Sequence, residues 1–181
     1  MRKHILRCAW ITAAFAATLA VSIYVLPAST DDTAAIHFAS LVFLPHGVRV
    51  IAAWLYGWMS VLYLAPVALA SHWFRMGGSS FQWDWSAALM PMFGVICVPA
   101  VFDIAARLGA DLRLQPGKIA NWKDVILVGC FASVISAVGA NLLAGNTLAT
   151  MSYYLIGDIV GMLVLLLGLM VVFRLMRQFG Y

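Results

Sequence analysis

Apolar runs separated by short polar stretches extend along the whole chain. A membrane-spanning helix needs roughly 20 apolar residues, and on that rule the pattern predicts six such helices. They are expected at about 8–26, 34–57, 58–74, 84–107, 124–143 and 150–173. The predicted fold is therefore all-α, a polytopic membrane protein in which residues 1–181 form a single integral-membrane domain.

The second and third predicted spans form one long apolar run that contains Pro45, Gly47 and Gly57. Proline removes a backbone N–H and clashes with the preceding turn, and glycine permits dihedral angles that other residues avoid, so a helix is expected to stop or kink here. Carbonyls freed by such a break need partners other than lipid, so this segment is expected to face protein or a watery cavity. The second helix is thus predicted to be broken, and two alternatives stay open for 34–44: a full span, or a re-entrant or interfacial piece.

The composition agrees with a membrane protein. Hydrophobic residues make up 64% of the chain and charged residues 10%, with a mean hydropathy of +0.96, whereas about 25% of residues are charged in soluble domains. The net charge of +4 does not indicate nucleic-acid binding, because the basic residues are scattered singly and form no patch with interleaved aromatics. The first apolar run, which continues to Leu26, is longer than the core of a signal peptide, so a retained first helix is expected.

The positions of the basic residues predict the orientation. If both termini are cytoplasmic, nine of the eleven Lys and Arg residues fall on the inside, as the positive-inside rule expects. These nine are Arg2, Lys3, Arg7, Arg107, Arg113, Lys118, Lys123, Arg174 and Arg177. Five spans would separate these basic clusters, so six are favoured. Asp103 precedes Arg107 by four residues, a spacing that predicts an ion pair at a helix end.

Two opposite charges, Arg49 and Asp158, fall inside apolar segments. Because a lone charge in a bilayer is costly, the two are expected to pair. Asp158 stands between Gly157 and Gly161, which leave room for an approaching group. Two interpretations stay open: an architectural clamp between the second and sixth helices, or an anchor for a polar or anionic ligand. His46 is expected to hydrogen-bond a carbonyl freed at the break, with proton sensing as the alternative.

Small residues recur at helical spacing in the last two predicted helices, and they are interpreted as packing faces that let helix backbones approach closely. They are Gly129, Ser133, Ser136 and Ala140 in the fifth helix, and Gly157, Gly161 and Gly168 in the sixth.

The sequence predicts neither an enzyme nor a cofactor. Cys8, Cys97 and Cys130 stand singly in apolar runs, without the spacing of a disulfide framework or a zinc site, and are interpreted as packing residues. His37 and His46 do not share one face of a regular helix, so a bis-histidine haem is not expected. No catalytic triad, HExxH motif, P-loop or carboxylate pair can be assembled from so few polar residues.

Two short motifs, LPHGV at 44–48 and YYLIGDIVG at 153–161, carry a family resemblance. The sequence resembles the membrane-associated sensor (MASE-type) family, bacterial integral-membrane domains that usually precede cyclase, phosphodiesterase or kinase domains. The resemblance implies that Pro45, Gly47, Gly157, Asp158 and Gly161 are signature positions. The chain is shorter than the usual sensor domain and has tyrosines where a Trp often precedes the Gly-Asp pair. It is therefore expected to be a stand-alone relative without an output domain.

The expected function is that of a non-enzymatic sensory input protein in a bacterial cytoplasmic membrane, with the lipid bilayer and a signalling protein as partners. Two alternatives remain: a small-solute transport component of the substrate-binding type that needs a separate transport module, and an accessory or assembly subunit of a larger membrane complex.

Overall fold

The structure, a computed structural model, describes residues 2–24, 42–75, 85–115, 117, 121–144 and 148–179. Within these ranges the chain forms six helices. They are α1 (Arg2–Tyr24), α2 (Leu44–Tyr56), α3 (Met59–Arg75), α4 (Trp85–Arg107), α5 (Trp122–Ala144) and α6 (Leu148–Gln178). The described part of the chain thus confirms the all-α prediction. Four of these helices, α1, α4, α5 and α6, are long and apolar enough to cross a membrane, which indicates a membrane protein.

The observed helices differ from the predicted spans mainly at their ends. Helix α1 begins at Arg2 and α6 continues to Gln178, several residues beyond the apolar runs. An apolar run marks the part of a helix suited to lipid, whereas backbone hydrogen bonding continues into polar flanks. Residues 25–41 and Lys118 lie outside the described residues, so the predictions made for them stay predictions.

Helix α2 is short, with 13 residues, which corresponds to about 20 Å against a hydrocarbon core of about 30 Å. Pro45 lies in its first turn, where a missing N–H removes no intrahelical bond. The break predicted around Pro45 is therefore the start of α2. The two alternatives for the segment before α2, a full span or a re-entrant piece, concern residues 34–41, which lie outside the described residues. Gly57 ends the helix with a φ of +55°, a left-handed conformation that glycine adopts without steric cost.

Helix α2 is the central element of the fold. It packs against each of the other five helices, and nine of its residues are buried. One hydrophobic cluster forms on one side of it, where Val50 contacts residues of α4, α5 and α6. A second forms on the other side, where Val48 and Ala52 pack with residues of α1, α3 and α4. A polar side chain on α2 is consequently surrounded by residues of several other helices.

Contacts between helix ends bring several basic residues to one end of the bundle, here called the basic end. At the start of α1, the Arg7 guanidinium lies 5.2 Å from the centre of the Tyr56 ring at the end of α2. At the start of α5, the Trp122 ring centre lies 6.0 Å from that of Trp54. The loop after α4 returns to the same place, since the Leu114 N–H donates to the Trp54 carbonyl at 3.3 Å.

Ion pairs hold the end of α4 and its following loop. Arg107 Nη2 lies 2.9 Å from Asp103 Oδ2, so the predicted helix-end pair is confirmed. Arg113 Nε donates to Asp111 Oδ1 at 3.1 Å, and this hydrogen bond raises the pKa of Arg113 above its ordinary value. Arg113 is therefore charged at any physiological pH.

Candidate functional site

Glycines bring the start of α2 directly against α6. The Phe43 N–H donates to the Gly157 carbonyl at 2.9 Å. A Cβ placed on Gly161 would collide with the carbonyl group of Phe43, and one placed on Gly47 would lie 2.8 Å from Cδ2 of Leu165. The two motifs that carry the family resemblance are therefore in contact, and their glycines permit the close approach of the two backbones.

The N-terminus of α2 is buried, yet its first N–H groups have partners. The Leu44 N–H donates to Ser22 Oγ of α1 at 3.1 Å, and Phe43 donates to α6 as described. Pro45 has no N–H to satisfy. Since unpaired N–H groups at a buried helix end are costly, these bonds explain how α2 can begin inside the protein. Ser22 was not predicted as a functional residue, and nothing in its sequence context separates it from other small residues of α1.

His46 and Asp158 form a buried contact at this helix start. Their side chains approach to 3.4 Å between His46 Nδ1 and Asp158 Oδ2, and the two residues are 0% and 6% exposed. A carboxylate is also favoured beside the N-terminal turn of a helix, where the peptide dipoles leave positive partial charge. His46 thus provides the direct contact between α2 and the Asp158 carboxylate.

The other ring nitrogen of His46 faces α5. Nε2 lies 3.0 Å from Ser133 Oγ and 3.3 Å from the Gly129 carbonyl oxygen, and the Ser133 hydroxyl is 2.9 Å from the same carbonyl. His46 was predicted to hydrogen-bond a carbonyl freed at the Pro45 break. The carbonyl that it contacts belongs instead to Gly129 of α5. A neutral Nε2 can accept from the Ser133 hydroxyl, and a protonated Nε2 can donate to the carbonyl, so these groups suit either protonation state.

Arg49 lies on α2 three residues after His46, and its guanidinium is held by aromatic rings. Its carbon Cζ is 5.3 Å from the centre of the Phe43 ring and 5.6 Å from that of Phe15 in α1, distances typical of cation–π contacts. A Cβ on Gly94 of α4 would lie 2.9 Å from Arg49 Nη1, so this glycine leaves room for the guanidinium. Among the described residues, the buried Nε of Arg49 has no hydrogen-bond partner.

The structure brings Arg49 and Asp158 into the same buried region, where they interact electrostatically. Within the described part of the chain, however, the expected direct salt bridge between them is not formed, and the partner of Asp158 is His46. The reason lies in helix geometry. A separation of three residues turns a side chain by about 60° around the axis, so His46 faces α5 and α6 while Arg49 is directed toward α1 and α4.

We call His46, Arg49, Ser133 and Asp158 the polar cluster. Three of its members were predicted from the sequence. Ser133 was predicted only as part of the small-residue packing face of α5. Its hydroxyl group, which can hydrogen-bond, was the feature that could have indicated its contact with His46. Among the described residues, no group of three His, Cys, Asp or Glu side chains is placed to hold a metal ion. Cys97 is 4% exposed and belongs to the hydrophobic cluster around Val50.

Comparison of the chain with protein-family models, with curated proteins and with solved structures finds no match. The fold and the cluster therefore define a class only: an all-helical membrane protein with ionisable side chains, two of them buried, around the start of its short central helix. The resemblance to MASE-type sensors stays a prediction.

Proposed function

We propose that this chain is a non-enzymatic sensory input protein of a bacterial cytoplasmic membrane, with six membrane segments and both termini in the cytoplasm. The observation that carries the proposal is the placement of two buried ionisable side chains, His46 and Asp158, together with the partly buried Arg49, around the start of α2. Ionisable side chains inside a membrane are expensive and typically mark a functional site. The contact between the two family-like motifs supports the same proposal, since these motifs meet at the cluster.

The ligand of the site is proposed to be a small polar or anionic group that binds at Arg49. In its support, the guanidinium is surrounded by aromatic rings and a glycine rather than by a carboxylate. An anion could therefore approach without breaking an existing salt bridge. Its negative charge would change the field at Asp158, and with it the balance of the contact between Asp158 and His46.

Signal transmission is proposed to run along α2. At Gly47 and Gly161 the backbones of α2 and α6 lie close together, because neither glycine places a side chain between them. A change in the contacts of the polar cluster would therefore shift α2 as a unit instead of only rearranging side chains. The opposite end of α2 carries Trp54, whose Nε1 donates to the Leu112 carbonyl at 3.1 Å. A shift of α2 would therefore reach the loop at the basic end, where a protein partner could detect it.

The site can be tested with the purified full-length chain in mild detergent, by thermal unfolding in the presence of acetate, inorganic phosphate or sulfate. We expect at least one anion to raise the midpoint of the wild type, and Arg49→Gln to abolish that rise. Arg49→Lys, which keeps the charge, should retain part of it. The site is abandoned if Arg49→Gln and Asp158→Asn each leave folding, thermal stability and the anion response unchanged.

The role of the protein can be tested separately by co-purification from native membranes. A signalling enzyme in the eluate supports sensing. Subunits of an ATPase would instead favour the transport component, and a larger membrane complex would favour the accessory subunit. Either of these two results would overturn the sensory proposal.

A further inference from the structure

A groove of about 950 Å³ lies at the basic end, between α6 and the start of α5. Trp122 of α5 forms one wall. The other wall consists of side chains from the last part of α6, among them Met170, Phe173, Arg174 and Arg177. From Met170 onward the described residues of α6 are exposed, so this part of the helix is not covered by the rest of the bundle. The groove does not involve the polar cluster.

Six residues of α6 line the groove. Four of them, Met170, Phe173, Arg174 and Arg177, share one helix face, because positions i, i+3, i+4 and i+7 lie above one another, while Met176 and Gln178 border this face. Their order along the axis separates two kinds of chemistry. Met170 and Phe173 come first, and Arg174 and Arg177 follow about 6 Å and 10 Å beyond Met170 at 1.5 Å per residue. This face is therefore apolar toward the middle of α6 and cationic toward its end.

The two arginines of the groove lack acidic partners among the described residues, where the salt bridges of the basic end involve Arg107 and Arg113 instead. None of the described residues that line the groove is acidic. Arg174 and Arg177 thus provide two exposed guanidinium groups one turn apart, and guanidinium groups bind phosphate oxygens through paired N–H donors.

We propose that this groove binds an anionic phospholipid. The phosphate lies between Arg174 and Arg177, the first part of an acyl chain covers Met170 and Phe173, and the Trp122 ring borders the glycerol region. A soluble phosphate would satisfy only the cationic half and leave the apolar half uncovered. A zwitterionic lipid would bring a positive headgroup toward two arginines. Basic pockets at the end of transmembrane helices suit anionic lipids for the same reason.

The test is native mass spectrometry of the detergent-purified full-length chain with phosphatidylglycerol or phosphatidylcholine of identical acyl chains. The wild type is expected to bind phosphatidylglycerol about thirtyfold more tightly, because two basic residues at about 1 kcal/mol each contribute about 2 kcal/mol. In R174Q/R177Q this preference should fall to about twofold or less. R2Q/K3Q is the matched control, because it removes the same charge from the start of α1, outside the groove, and should keep the full preference.

Three results would overturn the proposal. They are equal binding of the two lipids by the wild type, equal loss of preference in both double variants, and displacement of phosphatidylglycerol by an equimolar amount of glycerol 3-phosphate, which would identify a site for soluble phosphate. Should R174Q/R177Q fail to fold, the single variants R174Q and R177Q are compared instead. Each must lower the preference by about fivefold, or the assignment to these arginines is wrong.

Discussion

At the scale of single residues, His46 joins the polar cluster, because it contacts members of the cluster on two other helices. Its ring nitrogens face different helices, Asp158 of α6 on one side and Ser133 of α5 on the other. A histidine is suited to this position because it can donate or accept at each nitrogen according to its protonation. Arg49 could not replace it, since a guanidinium has donors only.

We expect His46→Leu to destabilise the protein by about 3 kcal/mol, because it leaves the Asp158 carboxylate buried without its contact. Adding Asp158→Asn to this variant should recover about 1 to 3 kcal/mol relative to the sum of the two single changes. The free energy of unfolding is measured by SDS titration in mixed micelles. As a surface control, Asp103→Asn breaks a partly exposed pair and should cost no more than about 1 kcal/mol. Additive effects of His46→Leu and Asp158→Asn would show that the two side chains are not coupled.

A second prediction concerns the close approach of α2 to α6. We expect Gly161→Ala to destabilise by about 1 to 3 kcal/mol, because the new methyl group meets the Phe43 carbonyl, which is backbone and cannot rotate away. Gly168→Ala on the same helix is the matched control. Among the described residues, no atom outside the neighbouring backbone of α6 lies within 4 Å of its added Cβ, so the higher helix propensity of alanine should leave stability unchanged or raise it by up to about 1 kcal/mol. Thermal unfolding of both variants decides, and equal midpoints would contradict the predicted contact.

At the scale of elements, the unusual feature is that α2 begins at a buried position inside the bundle. Helix ends usually lie at the surface, where water satisfies their free N–H groups. Burial of its N–H groups is possible because α1 and α6 supply acceptors through Ser22 Oγ and the Gly157 carbonyl. Both acceptors come from distant parts of the sequence. The arrangement also places the N-terminal positive partial charge of α2 beside Asp158.

Ser22→Ala is expected to lower stability by about 1 to 2 kcal/mol, because the buried Leu44 N–H loses its acceptor. Thr18→Ala, one turn earlier on α1, is the comparison. Within the described part of the chain, the Thr18 hydroxyl donates to carbonyls of its own helix, those of Ala14 and Phe15, so its loss should change stability by less than about 0.5 kcal/mol. Hydrogen exchange at the Leu44 amide should rise in Ser22→Ala alone. Unchanged exchange in that variant would show that another group satisfies this N–H.

At the scale of the whole molecule, the distribution of basic residues predicts how the helical bundle is oriented in the membrane. Contacts at Tyr56, Trp54 and Trp122 join the start of α1, the end of α2 and the start of α5 at the basic end, and the groove adds the end of α6. This is the arrangement expected when alternate helices run in opposite directions. By the positive-inside rule the basic end should be cytoplasmic.

Topology reporters test this orientation directly. Green fluorescent protein inserted after Gly109, in the loop after α4, and a second fusion after Tyr181 should both fluoresce, because that protein folds in the cytoplasm. The same insertion after Gly78, between α3 and α4, should be dark. Fluorescence at Gly78, or a difference between the two basic-end sites, would require a different number of spans.

The sequence by itself determined the class of protein and the position of most helices. The length of an apolar run and its lack of charged residues decide which segments can span a membrane, and the distribution of Lys and Arg predicts the orientation. Neither inference needs knowledge of tertiary contacts. It also marked Arg49, His46 and Asp158, since ionisable side chains stand out in such runs. Tertiary structure alone decided which of them touch. The partner of Asp158 depends on how α2 is rotated about its axis, and that rotation is fixed by packing at Gly47, Gly94 and Gly161 against residues far away in the chain. No local pattern in α2 encodes it.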